Sequence, residues 1–231
     1  MVRWIWLVLA AVGLIAALAG CAETSAVPTA SPARAAPKAY PELLARWLGG
    51  VPCRAPCWEG ITPGQTTWAE ALELLRASQL IDQARFPSAQ SEDEVDWNWV
   101  GERYGGLLRT SSGTVSMILV DLPEDVLLRD VIAAYGEPSH VAAAAFRGDH
   151  GDGPFYIFSL AWEPAGFALE AGSLYTEKPI LGPDLPFHKL YFSTSPDIIL
   201  PGVSKNQRLL PWEGFKEFDA YCRGEADQPC P

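Results

Sequence analysis

The amino-acid sequence predicts an α+β body, with helices packed on antiparallel sheet in two repeated halves that each run from a helix into strands. Three observations carry this. Thr67 and Glu70 form a capping-box pattern ahead of an apolar stripe at Ala71, Leu72, Leu74 and Leu75. Val95, Trp97 and Trp99 alternate with Asp96 and Asn98, which puts three apolar side chains on one face of a strand. A second helical pattern, Val126 to Tyr135, stops at Gly136-Glu137-Pro138 and leads into further strand-like runs.

Before that body come two segments of other character. Arg3 is the only charge ahead of Cys21, Trp4 to Ala17 is uncharged and apolar, and Leu18-Ala19-Gly20-Cys21 follows. Residues 1–20 therefore have the charged start, apolar core and small-residue end of a signal peptide. The tetrapeptide resembles the lipobox of bacterial lipoproteins. That resemblance implies cleavage before Cys21, a diacylglyceryl group on its thiol, further acylation such as palmitate, and an extracytoplasmic protein held on the membrane by lipid. In a host with two membranes, Ala22 after the cysteine implies sorting to the outer one. The competing reading is an uncleaved transmembrane helix, against which about 17 apolar residues is at the short limit for spanning. Residues 21–39 are rich in Ala, Ser, Thr and Pro with few large apolar groups, the composition of an extended tether.

The folded body is expected over residues 40–231. Pro41 precedes Leu43, Leu44, Trp47 and Leu48 at helical spacing, and Gly49-Gly50 ends that helix. The first half is expected over 58–122, with the capped helix from Thr67 to Arg76 and strands around Val95–Trp99, Tyr104–Thr110 and Thr114–Leu122. The second is expected over 123–194, with strands His140–Phe146, Phe155–Trp162, Phe167–Ala171 and Lys189–Ser193. A C-terminal extension, 195–231, includes an irregular stretch and a terminal helix from Trp212 to Tyr221 with Trp212, Phe215, Phe218 and Tyr221 on adjoining turns.

Charge and cysteines narrow the setting. The full chain carries a net charge of −11. After loss of residues 1–20, 16 basic and 28 acidic residues remain, a net charge of −12, which argues against nucleic acid and against adhesion to anionic lipid through protein charge. Beyond Cys21 there are four cysteines, Cys53, Cys57, Cys222 and Cys230. An even count in an exported chain favours two disulfides, and closeness in sequence favours Cys53 with Cys57 and Cys222 with Cys230. A zinc site is the alternative, but the spacings fit zinc ribbons poorly.

The sequence has no Gly-x-Ser-x-Gly elbow, and His140, His150 and His188 stand in no catalytic pattern. No catalytic residue, cofactor or metal is expected. The polar run Asp149-His150-Gly151-Asp152-Gly153 has the carboxylate density of a Ca²⁺ loop without its twelve-residue spacing, and reads as a turn between strands. Ser91 to Glu94 reads as a solvated acidic loop. Trp97 and Trp99 are core by the usual logic of alternating strands, or an aromatic platform for a partner protein or sugar if their sheet face is left uncovered.

Ile61-Thr62-Pro63-Gly64-Gln65-Thr66-Thr67 and the helix after it resemble the opening of the small BamE-type (SmpA/OmlA) lipoprotein domain. Tyr135-Gly136-Glu137-Pro138-Ser139 resembles the end of the same helix in that family. Two such units in tandem resemble the architecture of β-lactamase-inhibitor protein. The resemblance implies a non-enzymatic binding or envelope-assembly protein whose partner is another envelope protein or a glycan. An exported hydrolase with a cleft between the halves, or a proteinaceous enzyme inhibitor, is the alternative. Replacing Cys21 with Ser should abolish labelling by a fatty-acid analogue and leave an uncleaved or mislocalised precursor, whereas a labelled mutant would refute lipidation at this residue.

Overall fold

Strand-forming runs dominate the chain after residue 93, and they join into one sheet. The computed structural model describes residues 40–83, 86, 93–147, 154–172, 177–194 and 209–222. The expected signal segment and tether, Cys21, Cys230, His150 and the Asp149–Gly153 run lie outside the described residues. Among those described, no helix is long and apolar enough to cross a membrane.

Helix α1 covers Tyr40–Leu48 and buries Leu43 and Trp47. It ends at Gly49-Gly50, where Gly50 takes a positive φ of 69° that a side chain disfavours. Helix α2 covers Trp68–Ala77. The Thr67 hydroxyl accepts from Glu70 N–H at 3.3 Å, and the Glu70 carboxylate accepts from Thr67 N–H at 3.0 Å. Two otherwise unpaired amides at the helix start are thereby satisfied. The strands follow as β1 (Glu94–Asn98), β2 (Gly105–Ser111) and β3 (Thr114–Leu127). Helix α3 (Leu128–Tyr135) leads into β4 (His140–Arg147), β5 (Pro154–Trp162), β6 (Phe167–Gly172) and β7 (Pro186–Ser193). Two-residue β8 (Leu210–Pro211) and four-residue α4 (Phe218–Tyr221) complete the order.

Among the described residues, eight strands form a single sheet in the order β1-β2-β3-β7-β6-β5-β4-β8, with antiparallel pairing throughout. This overturns the expectation of two repeated halves with helices layered on sheet. The strands assigned to the two halves pair directly, β3 with β7. The described helices are too short, at four to ten residues, to form a layer. The molecule is a large antiparallel sheet with one face roofed by a patchwork of short helices and loops.

Register identifies the roofed face. Val95 pairs with Leu108, Leu108 with Ile118, Ile118 with Phe192, and Phe192 with Phe167, so these residues share one side. All are buried, together with Leu72 and Leu75 of α2, Leu128 and Val131 of α3, Phe218 and Tyr221 of α4, and the loop residues Trp58, Ile61, Ile81, Leu181 and Leu185. Ile132 is half-buried against the same core.

Trp97 and Trp99 lie in this core at 2% and 1% exposure, so they form no exposed platform. Trp58 covers them, its ring stacked on Trp97 at 5.4 Å and edge-on to Trp99 at 5.9 Å. Gly106 makes room for the Trp97 ring: a Cβ there would stand 2.3 Å from the indole and 2.4 Å from the Leu119 carbonyl oxygen.

Two local expectations also change. Val126 and Leu127 extend β3 instead of opening a helix, because they pair with Phe187 and Pro186 across a register shift. The terminal helix shrinks to Phe218–Tyr221. Pro211 and Gly214, the latter at a φ of 91°, precede a loop held by the Tyr221 hydroxyl, which accepts from Glu213 N–H and donates to the Gly214 carbonyl. Gly136 has a φ of 83°, but its ψ of −175° is extended and not left-handed helical.

Cys53 and Cys57 are joined by a disulfide. Within that loop Arg54 donates to the Ala134 carbonyl at 2.9 Å and lies over the Tyr135 ring, while the Tyr135 hydroxyl donates to the Trp47 carbonyl. The loop thereby ties α1 to the end of α3. Cys222 is also disulfide-bonded.

Two adjacent leucines test the helix assignment. Leu75 is 1% exposed and Leu74 39%. Leu75→Ala should cost about 2 to 5 kcal/mol of unfolding free energy in urea, and Leu74→Ala under about 1 kcal/mol. Equal losses would contradict the orientation of α2.

Candidate functional site

The face of the sheet turned away from the helices follows a different rule. Its residues are set by the same register, shifted by one. Leu119 pairs with Tyr191, Tyr191 with Ala168, and Ala168 with Ala161. Ala161, Ala168 and Tyr191 form a small buried cluster, with Leu119 and Leu209 packed against it. Beside this apolar strip, one register step along, runs a polar one. Asp121 of β3 pairs with Lys189 of β7, Lys189 with Glu170 of β6, and Glu170 with Ser159 of β5. Four consecutive strands thus each present one polar side chain to the same line.

The members of this row are unevenly satisfied. Glu170 is 6% exposed, and its carboxylate faces two donors: the Tyr191 hydroxyl at 3.2 Å and the Lys189 ammonium at 3.4 Å. Burial, together with the negative charges of Glu170 and Asp121, pushes the Tyr191 phenol far up, which keeps it a neutral donor. Asp121 is half-buried opposite Lys189. Burial raises its pKa above the ordinary 3.8, against the opposing pull of Lys189 and His188 and with help from Glu170. Ser159 is 1% exposed, and its hydroxyl has no hydrogen-bond partner. A buried hydroxyl left unpaired costs about 1 to 3 kcal/mol. Alanine stands at the neighbouring positions of this face in β4, Ala142 and Ala144.

The two described histidines have partners of their own, although His188 also acts on Asp121 through its charge. His140 lies against Glu163 at 3.3 Å, and His188 accepts from Gly172 N–H at 3.2 Å. No three His, Cys, Asp or Glu side chains come together as a metal site among the described residues. Two adjoining shallow grooves near the C-terminal loop, of about 600 and 430 Å³, are lined by residues such as Ile180, Pro183 and Phe215 and hold no comparable polar arrangement.

The row was missed in the sequence, although it leaves a trace there. Asp121 stands in Met-Ile-Leu-Val-Asp-Leu, Glu170 in Phe-Ala-Leu-Glu-Ala and Lys189 beside Leu-Tyr-Phe. A single charge inside each of three strongly apolar strands is the signal, because such a residue needs a partner when its strand is central. Which strands adjoin is a matter of pairing order, and that is what unites the three.

Compared with known proteins, the chain matches no family model, no curated relative and no solved structure.

The Asp121 carboxyl gives a pH test. Its folded pKa is raised, so protonation favours the folded state. That contribution is fully present below the ordinary value of 3.8 and is lost as pH rises through the folded value. Asp121→Asn, which keeps the shape without the charge, should therefore unfold at higher urea than the parent at pH 7. Its advantage should fade towards pH 3. A less stable variant at pH 7 would contradict the assigned environment.

Proposed function

We propose that the chain is an exported lipoprotein, cut before Cys21 and acylated there, that is held outside a bacterial membrane and works by binding another component of the cell envelope. The contact surface in this reading is the β1–β2 part of the sheet face turned away from the helices, where Asp96 and Arg109 are exposed. One observation carries the address: the Leu18-Ala19-Gly20-Cys21 tetrapeptide has the lipobox pattern.

A formed disulfide between Cys53 and Cys57 also fits an oxidising compartment outside the cytoplasm. The acidic net charge leaves the lipid itself as the attachment to anionic membrane.

Site-specific photocrosslinking in cells tests the surface. Asp96 is exposed on β1, on the same face as the polar row, and Glu73 is exposed on α2 on the roofed side. A photoreactive residue at position 96 should give a discrete adduct with an envelope component, and one at position 73 should not. Adducts from position 73 alone would place the contact surface on the other side of the molecule.

A further inference from the structure

We propose that the two adjoining grooves beside α4 receive a segment of a partner protein that carries a large apolar side chain flanked by lysine or arginine. The grooves hold about 600 and 430 Å³ and share a ridge formed by Ile180 and Pro183. Ile180 is 61% exposed, and Phe215, which also lines the larger groove, is 50% exposed. Two large apolar side chains left in water beside one cleft mark a contact site more readily than single ones scattered over a surface. This inference does not depend on the reading of the β1–β2 face.

The apolar surface is held ready. Phe215 meets Trp212 edge-on at 5.6 Å, Trp212 stacks on Tyr221, and the Tyr221 hydroxyl fixes the intervening loop through Glu213 N–H and the Gly214 carbonyl. The segment carrying Ile180 is pinned to that loop by Leu181 N–H, which donates to the Lys216 carbonyl at 3.0 Å, and the Leu181 side chain is fully buried. Pro179, Pro183 and Pro186 stiffen the backbone of the smaller groove and lack N–H groups, so it offers no run of donors to an added strand and takes side chains instead. A cleft already formed loses little freedom when it is filled.

Charge names the occupant. Three ion pairs on or beside the rim are closed: Lys178 with Asp219, Lys216 with Glu213, and Arg129 with Asp184. Glu177 and Glu217 are left over. Both are exposed, one lining each groove, and neither carboxylate has an ion pair or hydrogen bond among the described residues. Glu217 faces Ile180 across an antiparallel bridge, about 5 Å away at ordinary spacing. Glu177 stands three residues before Ile180, at most about 11 Å along the chain. The two carboxylates therefore lie within about 16 Å, a span that about five extended residues cover. A cation for each, with an apolar side chain between them, fits that spacing. An exposed carboxylate binds weakly on its own, and an apolar group seated beside it shuts out water and strengthens the pair. The same carboxylates, on a chain of net charge −11, favour a basic partner over an anionic bilayer.

The experiment uses the full chain in phosphatidylcholine nanodiscs and follows isoleucine δ-methyl NMR signals, with Ile180 reporting the cleft and buried Ile118 reporting the fold. Three blocked pentapeptides are titrated: Lys-Gly-Phe-Gly-Lys, Glu-Gly-Phe-Gly-Glu and Lys-Gly-Gly-Gly-Lys. The first should shift the Ile180 methyl, and the other two should bind about tenfold more weakly or worse. The double change Glu177→Gln with Glu217→Gln, and separately Phe215→Ala, should each weaken the first peptide about tenfold, the size of one strong contact, while the Ile118 signal stays in place. Glu73→Gln removes a carboxylate from α2, outside the cleft, and should leave binding within about twofold. Equal binding of the glutamate peptide, or an equal loss with Glu73→Gln, would reduce the charge to a bulk effect and overturn the proposal. Equal binding of the peptide without phenylalanine would overturn it by removing the groove's part. So would silence of the Ile180 methyl towards every peptide. A spin-labelled lipid that broadens Ile180 while no peptide moves it would make the bilayer the occupant, and the proposal would fall.

Discussion

The antiparallel pairing of β3 with β7 is the constraint on which the rest of the molecule depends. It joins strands that lie some seventy residues apart in sequence, from Met117 opposite Ser193 to Asp121 opposite Lys189. A slip of one residue here turns every side chain of a strand to the other face. Ile118, Val120, Leu190 and Phe192 would leave the core, and Asp121 and Lys189 would enter it. The penalty falls on both faces at once, so this seam sets the core and the charged row together. The register shift beyond Asp121 lets β3 continue to Val126, which then packs inside with Phe187.

Aromatic side chains do most of the roofing. Trp58, Trp97 and Trp99 form one cluster, and Trp47, Tyr135, Trp162 and Phe167 form another with ring centroids 4.9 to 5.5 Å apart in their contacts. Large rings let short helices and loops bury much apolar area without a full helical layer. Several indoles are also tied to backbone. Trp162 donates to the Gly136 carbonyl, and Trp99 donates at 2.9 Å to the carbonyl of Asp121. The second of these bonds reaches from the core to the strand that carries the row's Asp121 carboxylate, so the packing of one face helps to hold the chemistry of the other in place.

Much of the local structure was legible because local signals govern it. The Thr67–Glu70 cap, the Gly49-Gly50 stop and the alternation at Val95, Trp97 and Trp99 each depend on residues a few positions apart. Two apolar readings failed where long-range pairing decides the outcome. Val126 and Leu127 fit a helix by periodicity but are captured by β7, and Trp212 and Phe215 fit a helical stripe but lie ahead of the helix, which starts only at Phe218. The inference of repeated halves failed for the same reason, since helix-then-strands can be read twice along the chain even when all the strands share one sheet. The aromatic alternative for Trp97 and Trp99 depended on whether their face is covered, and Trp58, thirty-nine residues before Trp97, covers it. The polar row required knowledge of which strands are neighbours, and no spacing within the chain encodes that.

Gly106 and Trp97 show how such packing restricts the paths open to a changing sequence. A methyl group at position 106 meets the Trp97 ring and the Leu119 carbonyl inside contact distance, so any larger residue there is obstructed while the indole is present. Shrinking the indole first relieves that clash and opens a cavity under Trp58, itself destabilising. Each single step is a loss, and only the two together offer a new fit. The glycine and the tryptophan are thus held by one another, and drift at either position must cross a valley that neither residue, viewed alone in the sequence, reveals.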